Sequence, residues 1–225
     1  MGIMGGKNKI SNIEIRGREF FRIKSILKRY FNVIDIKKIL YVIKGKNVYE
    51  IVLSNGESVR LDIVEGITQR VINYHKNKTF YHKIAFDSGI KVPELLGSYE
   101  TPDSFYKYSK WIKGKRAGFV WNLPQIFKYA GEEIAKINLI KDLKTGYFLG
   151  YNDFSKPNAI WTKQEELFLI DIEIQPKRNV DDSVIKMLLK NIKDRDRIKW
   201  FLRGYKEYRD TKIIEQELER RNYKW

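Results

Sequence analysis

The chain has 225 residues, 43% of them hydrophobic and 14% aromatic, which is enough apolar material for one large domain or two small lobes. It contains no cysteine and only two histidines, His75 and His82, which excludes disulfides, thiol nucleophiles, cysteine-ligated zinc and multi-histidine metal sites. No apolar run approaches the roughly 20 residues that cross a bilayer and the amino terminus lacks a signal-peptide core, so we expect a cytoplasmic protein.

The net charge of +16 is concentrated at the two ends of the chain. Residues 1–46 carry 12 Lys/Arg against 3 Asp/Glu, residues 177–225 carry 15 against 9, and residues 47–176 are nearly balanced at 17 against 16. Basic ends fit a polyanionic partner, either nucleic acid, anionic lipid or a phosphorylated glycolipid. A genome that uses lysine as its default surface residue explains the same distribution, so both interpretations stay open.

Residues 1–38 are predicted to form a basic arm followed by an amphipathic helix. Residues 1–12 are rich in Gly, Lys and Asn, as is typical of a loose arm. From Glu19 onward apolar residues recur at helical spacing and basic residues occupy the other face. The apolar positions are Phe20, Phe21, Ile23, Ile26, Leu27, Tyr30 and Phe31. Such a helix either packs on its own domain or makes peripheral contact with an anionic membrane at its inner face.

Three β-strands are predicted next, over Ile39–Ile43, Val48–Leu53 and Ser58–Val64. The Asn55-Gly56 pair between the last two strands is a strong tight-turn signal because both residues tolerate positive φ. In the third strand, alternation puts Arg60 and Asp62 on one face, opposite its apolar residues.

A helix is predicted over Ile67–Ser88, followed by a Gly-Ile-Lys-Val-Pro junction and a strand over Phe105–Ile112. A second helix is predicted over Leu123–Leu139, with Pro124 in its first turn. Then Ala159–Trp161 and Leu167–Ile170 read as the two strands of a hairpin.

Three oxygen-bearing side chains flank that hairpin. Asp153 and, five residues on, Asn158 lie in the loop before it, and Asp171 directly follows its second strand. If the strands fold back on each other, Asn158 and Asp171 meet at one end. Transfer of a phosphoryl group from a magnesium nucleotide to a hydroxyl uses a carboxylate as the base and oxygen ligands for the metal. An amide and a second carboxylate can supply these hard ligands.

This run resembles the catalytic loop and metal-binding strand of the protein-kinase-like superfamily, in particular its aminoglycoside phosphotransferase, lipopolysaccharide core (Kdo or heptose) kinase and Bud32/RIO branch. There the pattern is H-x-D-x-x-x-x-N followed by a strand that ends in aspartate. The Val-Pro junction after the first long helix resembles the same branch. The resemblance implies an α+β, bilobal fold, with a small antiparallel β-rich N-lobe over residues 39–112 and a mainly helical C-lobe over 113–225.

The resemblance also implies roles for individual residues, with ATP and Mg2+ as cofactors. Asp153 would be the catalytic base, and Lys156 would neutralise charge on the transferred group unless it is merely an exposed loop lysine. Asn158 and Asp171 would bind the metal. The nucleotide-binding positions would be Arg60 on the third strand, Lys44 and Lys46 in the turn that covers the phosphates, and Ser109, Lys110 and Trp111 at the adenine-binding hinge.

Three departures from the family pattern bear on function. Tyr151 stands where the family has histidine, the third strand offers Arg60 in place of the expected lysine, and the helix over Ile67–Ser88 has no glutamate to pair with it. The leading hypothesis is a kinase that phosphorylates a hydroxyl of a small molecule or a lipopolysaccharide-core-like glycolipid. The alternatives are a pseudokinase or binding module with a kinase fold, and a Bud32-like kinase whose basic ends meet RNA.

Overall fold

The computed structural model describes residues 13–41, 47–151, 153–221 and 223. The chain divides into two compact units. The first, the sheet unit, consists of Met1–Thr79 with Glu94–Trp111, and the second, the helical unit, consists of Phe80–Pro93 with Ile112–Trp225. The long helix α2 (Gln69–Asp87) contributes residues to both units.

The sheet unit is built on one antiparallel five-stranded sheet of order β1-β2-β3-β5-β4. The predicted Asn55-Gly56 turn joins β2 to β3, and Gly56 takes a φ of +86° that L side chains adopt only with strain. The strands are β1 (Ile36–Tyr41), β2 (Val48–Leu53), β3 (Ser58–Glu65), β4 (Leu95–Thr101) and β5 (Ser104–Lys110).

The amphipathic helix α1 (Gly17–Phe31) belongs to the core of this unit. Its Ile23 and Leu27 are fully buried with Leu61 of β3, and its Phe31 stacks on Tyr108 of β5 at 5.1 Å between ring centroids. The interpretation that the helix packs on its own domain is therefore confirmed. Its buried residues are Ile23, Ile26 and Leu27, whereas Phe21 is 69% exposed.

The helical unit surrounds a second hydrophobic core that includes Phe127, Phe154, Phe201 and Tyr205. Its helices are α3 (Pro124–Ile137), α4 (Val180–Met187), α5 (Arg195–Tyr205) and α6 (Lys212–Arg220). Its short strands are β6 (Lys115–Arg116), β7 (Phe148–Tyr151), β8 (Ala159–Trp161), β9 (Leu167–Leu169) and β10 (Ile174–Lys177). Two pairings matter for function, β8 with β9 and β7 with β10, both antiparallel.

The α+β fold class predicted from the sequence is confirmed. Of the predicted elements, β2 has the expected bounds, whereas α2 and α3 are each one to two residues shorter at each end. The first strand begins three residues before Ile39, because Ile36 already pairs with Leu53. The strand predicted over Phe105–Ile112 ends at Lys110. None of the described helices is both long and apolar enough to cross a membrane.

Helices α3 and α5 approach each other at two glycines. A Cβ on Gly131 would collide with the backbone carbonyl of Phe201, and a Cβ on Gly204 would collide with that of Lys128. Because the obstacles are backbone atoms, neither collision can be relieved by rotating a side chain. The two glycines set the distance between these two helices, both of which contribute to the core of the unit.

We predict that Gly131→Ala and Gly204→Ala each lower the free energy of unfolding by about 2–3 kcal/mol, the usual cost of overpacking. Helix propensity alone predicts the opposite sign, a gain of about 1 kcal/mol for alanine. Urea unfolding followed by circular dichroism measures the difference. Gly118→Ala is the control, since a Cβ there would make only ordinary contacts with Lys156, at 3.4 Å to its Cβ and 3.7 Å to its backbone oxygen. Unchanged or increased stability of both helix variants would contradict the close approach.

Candidate active site

The loop after β7 is anchored by two buried aromatic rings. Tyr151 and Phe154 are both fully buried, and Phe154 stacks on Trp121 at 5.3 Å and meets Phe127 edge-on at 6.4 Å. The Tyr151 hydroxyl donates to the backbone oxygen of Asp153 at 3.2 Å. Because Tyr151 and Phe154 are buried and the backbone oxygen of Asp153 accepts a hydrogen bond, the half-buried Asp153 is held at a defined position.

Asn158 is hydrogen-bonded directly to Asp153. A 3-10 turn over Lys156–Asn158, with Pro157 in its first turn, returns the chain so that Asn158 Nδ2 donates to Asp153 Oδ2 at 2.6 Å and to its backbone oxygen at 3.1 Å. Only an amide nitrogen can donate to these two oxygens, so the side-chain orientation is fixed. Asn158 Oδ1 therefore faces away from Asp153, as an oxygen available to a metal ion.

Two contacts between strands, which we call strand closures, bring Asp171 toward the loop that carries Asp153 and Asn158. The backbone N–H of Ile170 donates to the carbonyl of Asn158 at 2.9 Å, which extends the β8–β9 pairing, and Ile174 of β10 pairs with Tyr151 of β7. Asp171 lies between these closures with a φ of +53°. Aspartate is among the few residues that enter this left-handed region readily, and such conformations concentrate at functional sites.

The site has a concentrated negative charge. The pKa of Tyr151 is raised well above its ordinary value, first by burial and then by the charges of Asp153, Asp171 and Glu173. These three carboxylates therefore lie close enough to act on the Tyr151 hydroxyl. Glu173 was not among the predicted site residues. The only indication of Glu173 in the sequence is its position two residues after Asp171.

The donor set fits magnesium. In the described part of the chain no group of three or more His, Cys, Asp or Glu residues could by itself hold a metal. Magnesium, however, is usually bound by one or two carboxylates, with phosphate oxygens and water completing its shell. The Asp171 carboxylate and Asn158 Oδ1 are such a set. Lys156, the predicted neutralising residue, is exposed on the 3-10 turn.

In the sheet unit, the predicted phosphate-binding residue Arg60 is engaged by Asp62. Its guanidinium donates to Asp62 Oδ1 from Nε at 2.9 Å and from Nη2 at 2.8 Å. Lys107, directly opposite Asp62 on β5, places its ammonium 3.2 Å from Asp62 Oδ2. The third strand lacks a lysine, as predicted, but the neighbouring strand supplies one that sequence reasoning missed. Its signal is a lysine within the otherwise apolar Phe105–Tyr108 run.

This cluster of Arg60, Asp62 and Lys107 holds more positive than negative charge. Burial favours the neutral form of Asp62, but Arg60 and Lys107 outweigh it and lower its pKa to about 2. The pKa of Lys107 is also lowered, first by burial and further by the charges of Arg60 and Lys78, with Asp62 acting in the opposite direction. Asp62 thus lies close to three basic side chains, and Glu50 of β2 stands opposite Arg60 in the strand pairing.

The predicted hinge positions are largely occupied by sheet bonding. The N–H of Lys110 donates to Glu94 O at 2.8 Å and that of Trp111 to Ser58 O at 3.2 Å, while Ser109 is buried within the β3–β5 pairing. The sheet therefore already uses the N–H groups of Lys110 and Trp111, and the assignment of Ser109, Lys110 and Trp111 to the adenine-binding hinge stays a prediction. Lys44 and Lys46 lie outside the described residues.

Comparison with solved structures identifies the fold as protein-kinase-like. The AMP-bound complex of spectinomycin phosphotransferase APH(9)-Ia matches with a TM-score of 0.62 at 13% identity, over 90% of this chain and 86% of that one. The complex of the same enzyme with ADP and spectinomycin gives 0.62 at 14%, over 90% and 84%. An aminoglycoside-3'-phosphotransferase of type VIII gives 0.58 at 9%, over 82% and 91%. Neither a family model nor a curated protein matches the sequence.

We predict that Asp62→Asn lowers the free energy of unfolding by about 2–4 kcal/mol at pH 7, because Arg60 and Lys107 lose their common counter-charge. The pKa of Asp62 is about 2 in the folded protein and lies near 3.9 in an unfolded chain. Its stabilisation is therefore present above pH 4 and is lost as the pH falls toward 2.

The measurement is urea unfolding of both proteins between pH 3 and 7, in which the difference between them should shrink toward the acid end. Asp35→Asn, an exposed carboxylate in the same unit, is the control and should stay within 0.5 kcal/mol of wild type at each pH. A difference that is small at pH 7, or that grows on acidification, would contradict this assignment.

Proposed function

We propose that this protein is an ATP-dependent phosphotransferase that phosphorylates a hydroxyl group of a small molecule. The observation that carries the proposal is the hydrogen bond from Asn158 to Asp153, together with the strand closures that hold Asp171 beside them. The fold shared with phosphotransferases named for spectinomycin and aminoglycosides supports it. Nucleotide binding is supported by the AMP and ADP in the matched structures.

In this proposal each residue of the helical unit has a separate task. Asn158 fixes the orientation of the Asp153 carboxylate, and this carboxylate accepts the proton of the acceptor hydroxyl. At the same time the oxygen of the acceptor hydroxyl bonds to the γ-phosphorus, and the bond from that phosphorus to the ADP oxygen breaks. Asn158 Oδ1 and Asp171 would hold Mg2+, which when bound neutralises charge on the phosphate oxygens. Lys156 adds positive charge near the transferred group.

In the sheet unit we assign the phosphate-binding role to Lys107 in addition to Arg60. Asp62 orients both cations, as a carboxylate must do if a long flexible ammonium is to hold one position. The arrangement replaces the lysine and glutamate pair expected on the third strand and the following helix. In this arrangement the carboxylate is Asp62 of β3, and the lysine is Lys107 of the neighbouring strand β5.

For the acceptor we propose a sugar or a sugar-bearing molecule, including a phosphorylated glycolipid. After Asp171 only two residues precede β10, so the chain there has no long segment on which a protein substrate would dock. The strongly basic composition fits an acceptor that carries phosphate or carboxylate groups.

A nucleotide-binding protein without transfer activity is the second candidate. The observation that favours it is the engagement of Arg60 by Asp62, together with the absence of glutamate from α2, so the usual ion pair is not reproduced. This candidate predicts binding of nucleotide with no consumption of ATP in the presence of any acceptor. The two candidates therefore differ in turnover and not in binding.

We predict that Mg2+ and ATP together raise the melting temperature of the wild type by several degrees, since a ligand at 100 times its Kd stabilises by about 2.7 kcal/mol. Asp171→Ala should abolish the magnesium-dependent part of the shift. Asp153→Asn should keep the shift but lower kcat at least a hundredfold in an ADP-release assay with pooled sugars and glycolipids. Asp196→Asn, an exposed carboxylate of the same unit, should change neither. A wild type that shows no magnesium-dependent shift would overturn the proposal.

We predict that Lys107→Met weakens the binding of Mg-ATP at least tenfold, because a charge-assisted contact to phosphate is lost. Lys110→Met, three residues farther along the same strand and therefore on its other face, should leave affinity unchanged. Equilibrium titration with a fluorescent ATP analogue measures both. Lys107→Arg keeps the charge and should recover part of the affinity, which separates loss of binding from loss of folding. Equal affinities of the two methionine variants would contradict phosphate binding by Lys107 and leave that role to Arg60 alone.

A further inference from the structure

A tight turn between α3 and β7 presents a leucine to solvent. The Leu143 side chain is 96% exposed, the highest value among the large apolar residues that the structure describes. The turn itself is firmly bonded: Asp142 N–H donates to Tyr147 O at 2.8 Å, and Gly146 N–H donates to Asp142 O at 2.8 Å. The buried Asp142 carboxylate accepts from Thr145 Oγ1 at 2.6 Å and from Thr145 N at 2.9 Å. Leu143 is therefore held outward by a defined framework and is not on a loose end.

The exposed leucine is surrounded by a mixed apolar and basic surface, which we call the Leu143 patch. Its other apolar members are Leu139, Phe80, Tyr147 and Phe148, whose exposed fractions run from 39% to 50%. Two cations lie over its rings, with Lys144 Nζ 5.1 Å from the Phe80 centroid and Arg178 Cζ 5.9 Å from that of Tyr147. Lys141 is also exposed.

The chemistry of this patch suits a lipid surface better than a groove on a protein. Its exposed apolar residues lie on and next to the turn together with aromatic rings and long basic side chains. This composition places rings at headgroup depth and lets Lys and Arg reach lipid phosphates. The acidic residue of the turn, Asp142, is 4% exposed and bonded inward, so the presented charges are basic. The buried apolar residues of α1, Ile23, Ile26 and Leu27, cannot fill this role, since they pack in the core of the sheet unit.

We propose that the Leu143 patch docks on an anionic membrane surface, with Leu143 inserted among the acyl chains and Lys141, Lys144 and Arg178 bound to phosphate headgroups. Docking of this kind requires no nucleotide and no catalysis. Membrane docking would bring the protein to a membrane-borne or anionic acceptor. It is tested independently of the proposed phosphotransferase activity.

The test is co-sedimentation of the full chain with vesicles of phosphatidylcholine and phosphatidylserine in a 70:30 ratio, without ATP, at 100 mM salt. Wild type is expected to bind, and binding should weaken as salt rises. Leu143→Ser should lower the apparent affinity about tenfold through loss of its apolar contact, and Lys141→Gln with Lys144→Gln should lower it by at least as much. Ile213→Ser, at a 63% exposed leucine-sized residue on α6, is the matched control and should bind like wild type.

Two results would overturn the proposal. If Leu143→Ser binds as well as wild type while salt still releases both, the attraction is only that of a protein with a net charge of +16 for any anionic surface. If wild type does not sediment with the anionic vesicles, the patch has another occupant, such as a partner protein. Because Leu143 and Ile213 are both largely exposed, neither variant is expected to unfold, and circular dichroism checks this.

Discussion

The constraint on which the candidate site depends is the double closure of the chain between β7 and β10. The Ile170 N–H bond to Asn158 O closes the inner loop, and the pairing of Tyr151 with Ile174 closes the outer one. Closing nested loops costs conformational entropy, which the buried rings and aliphatic side chains beneath them offset. The result is that three polar side chains far apart in sequence are held on a rigid base, as catalysis by positioning requires.

The two units carry opposite electrostatic settings. In the helical unit, carboxylates of Asp153, Asp171 and Glu173 act together on the buried Tyr151 hydroxyl, whereas in the sheet unit Asp62 is outnumbered by the basic groups around it.

Charge clusters of this kind cost stability, which is why their residues are informative. Burying Lys107 and Asp62 together is at best nearly neutral compared with apolar residues of the same size, and a left-handed aspartate adds strain at residue 171. Elsewhere the chain obeys simple packing rules, as at Gly131 and Gly204, where only glycine allows two helices to touch. Asn32, Glu165 and Lys193 are also left-handed and lie outside the candidate site.

The sequence by itself determined the local elements and the loop chemistry. Alternation, the Asn55-Gly56 turn and the spacing of Asp153 to Asn158 depend on neighbours along the chain, and they led to the correct fold class. The partnership of Asp62 with Lys107, the role of Glu173, and the use of the Lys110 and Trp111 N–H groups by the sheet were decided only by the tertiary structure. The physical reason is register: which residues face each other across two strands depends on the pairing of the whole sheet, and no local pattern specifies it.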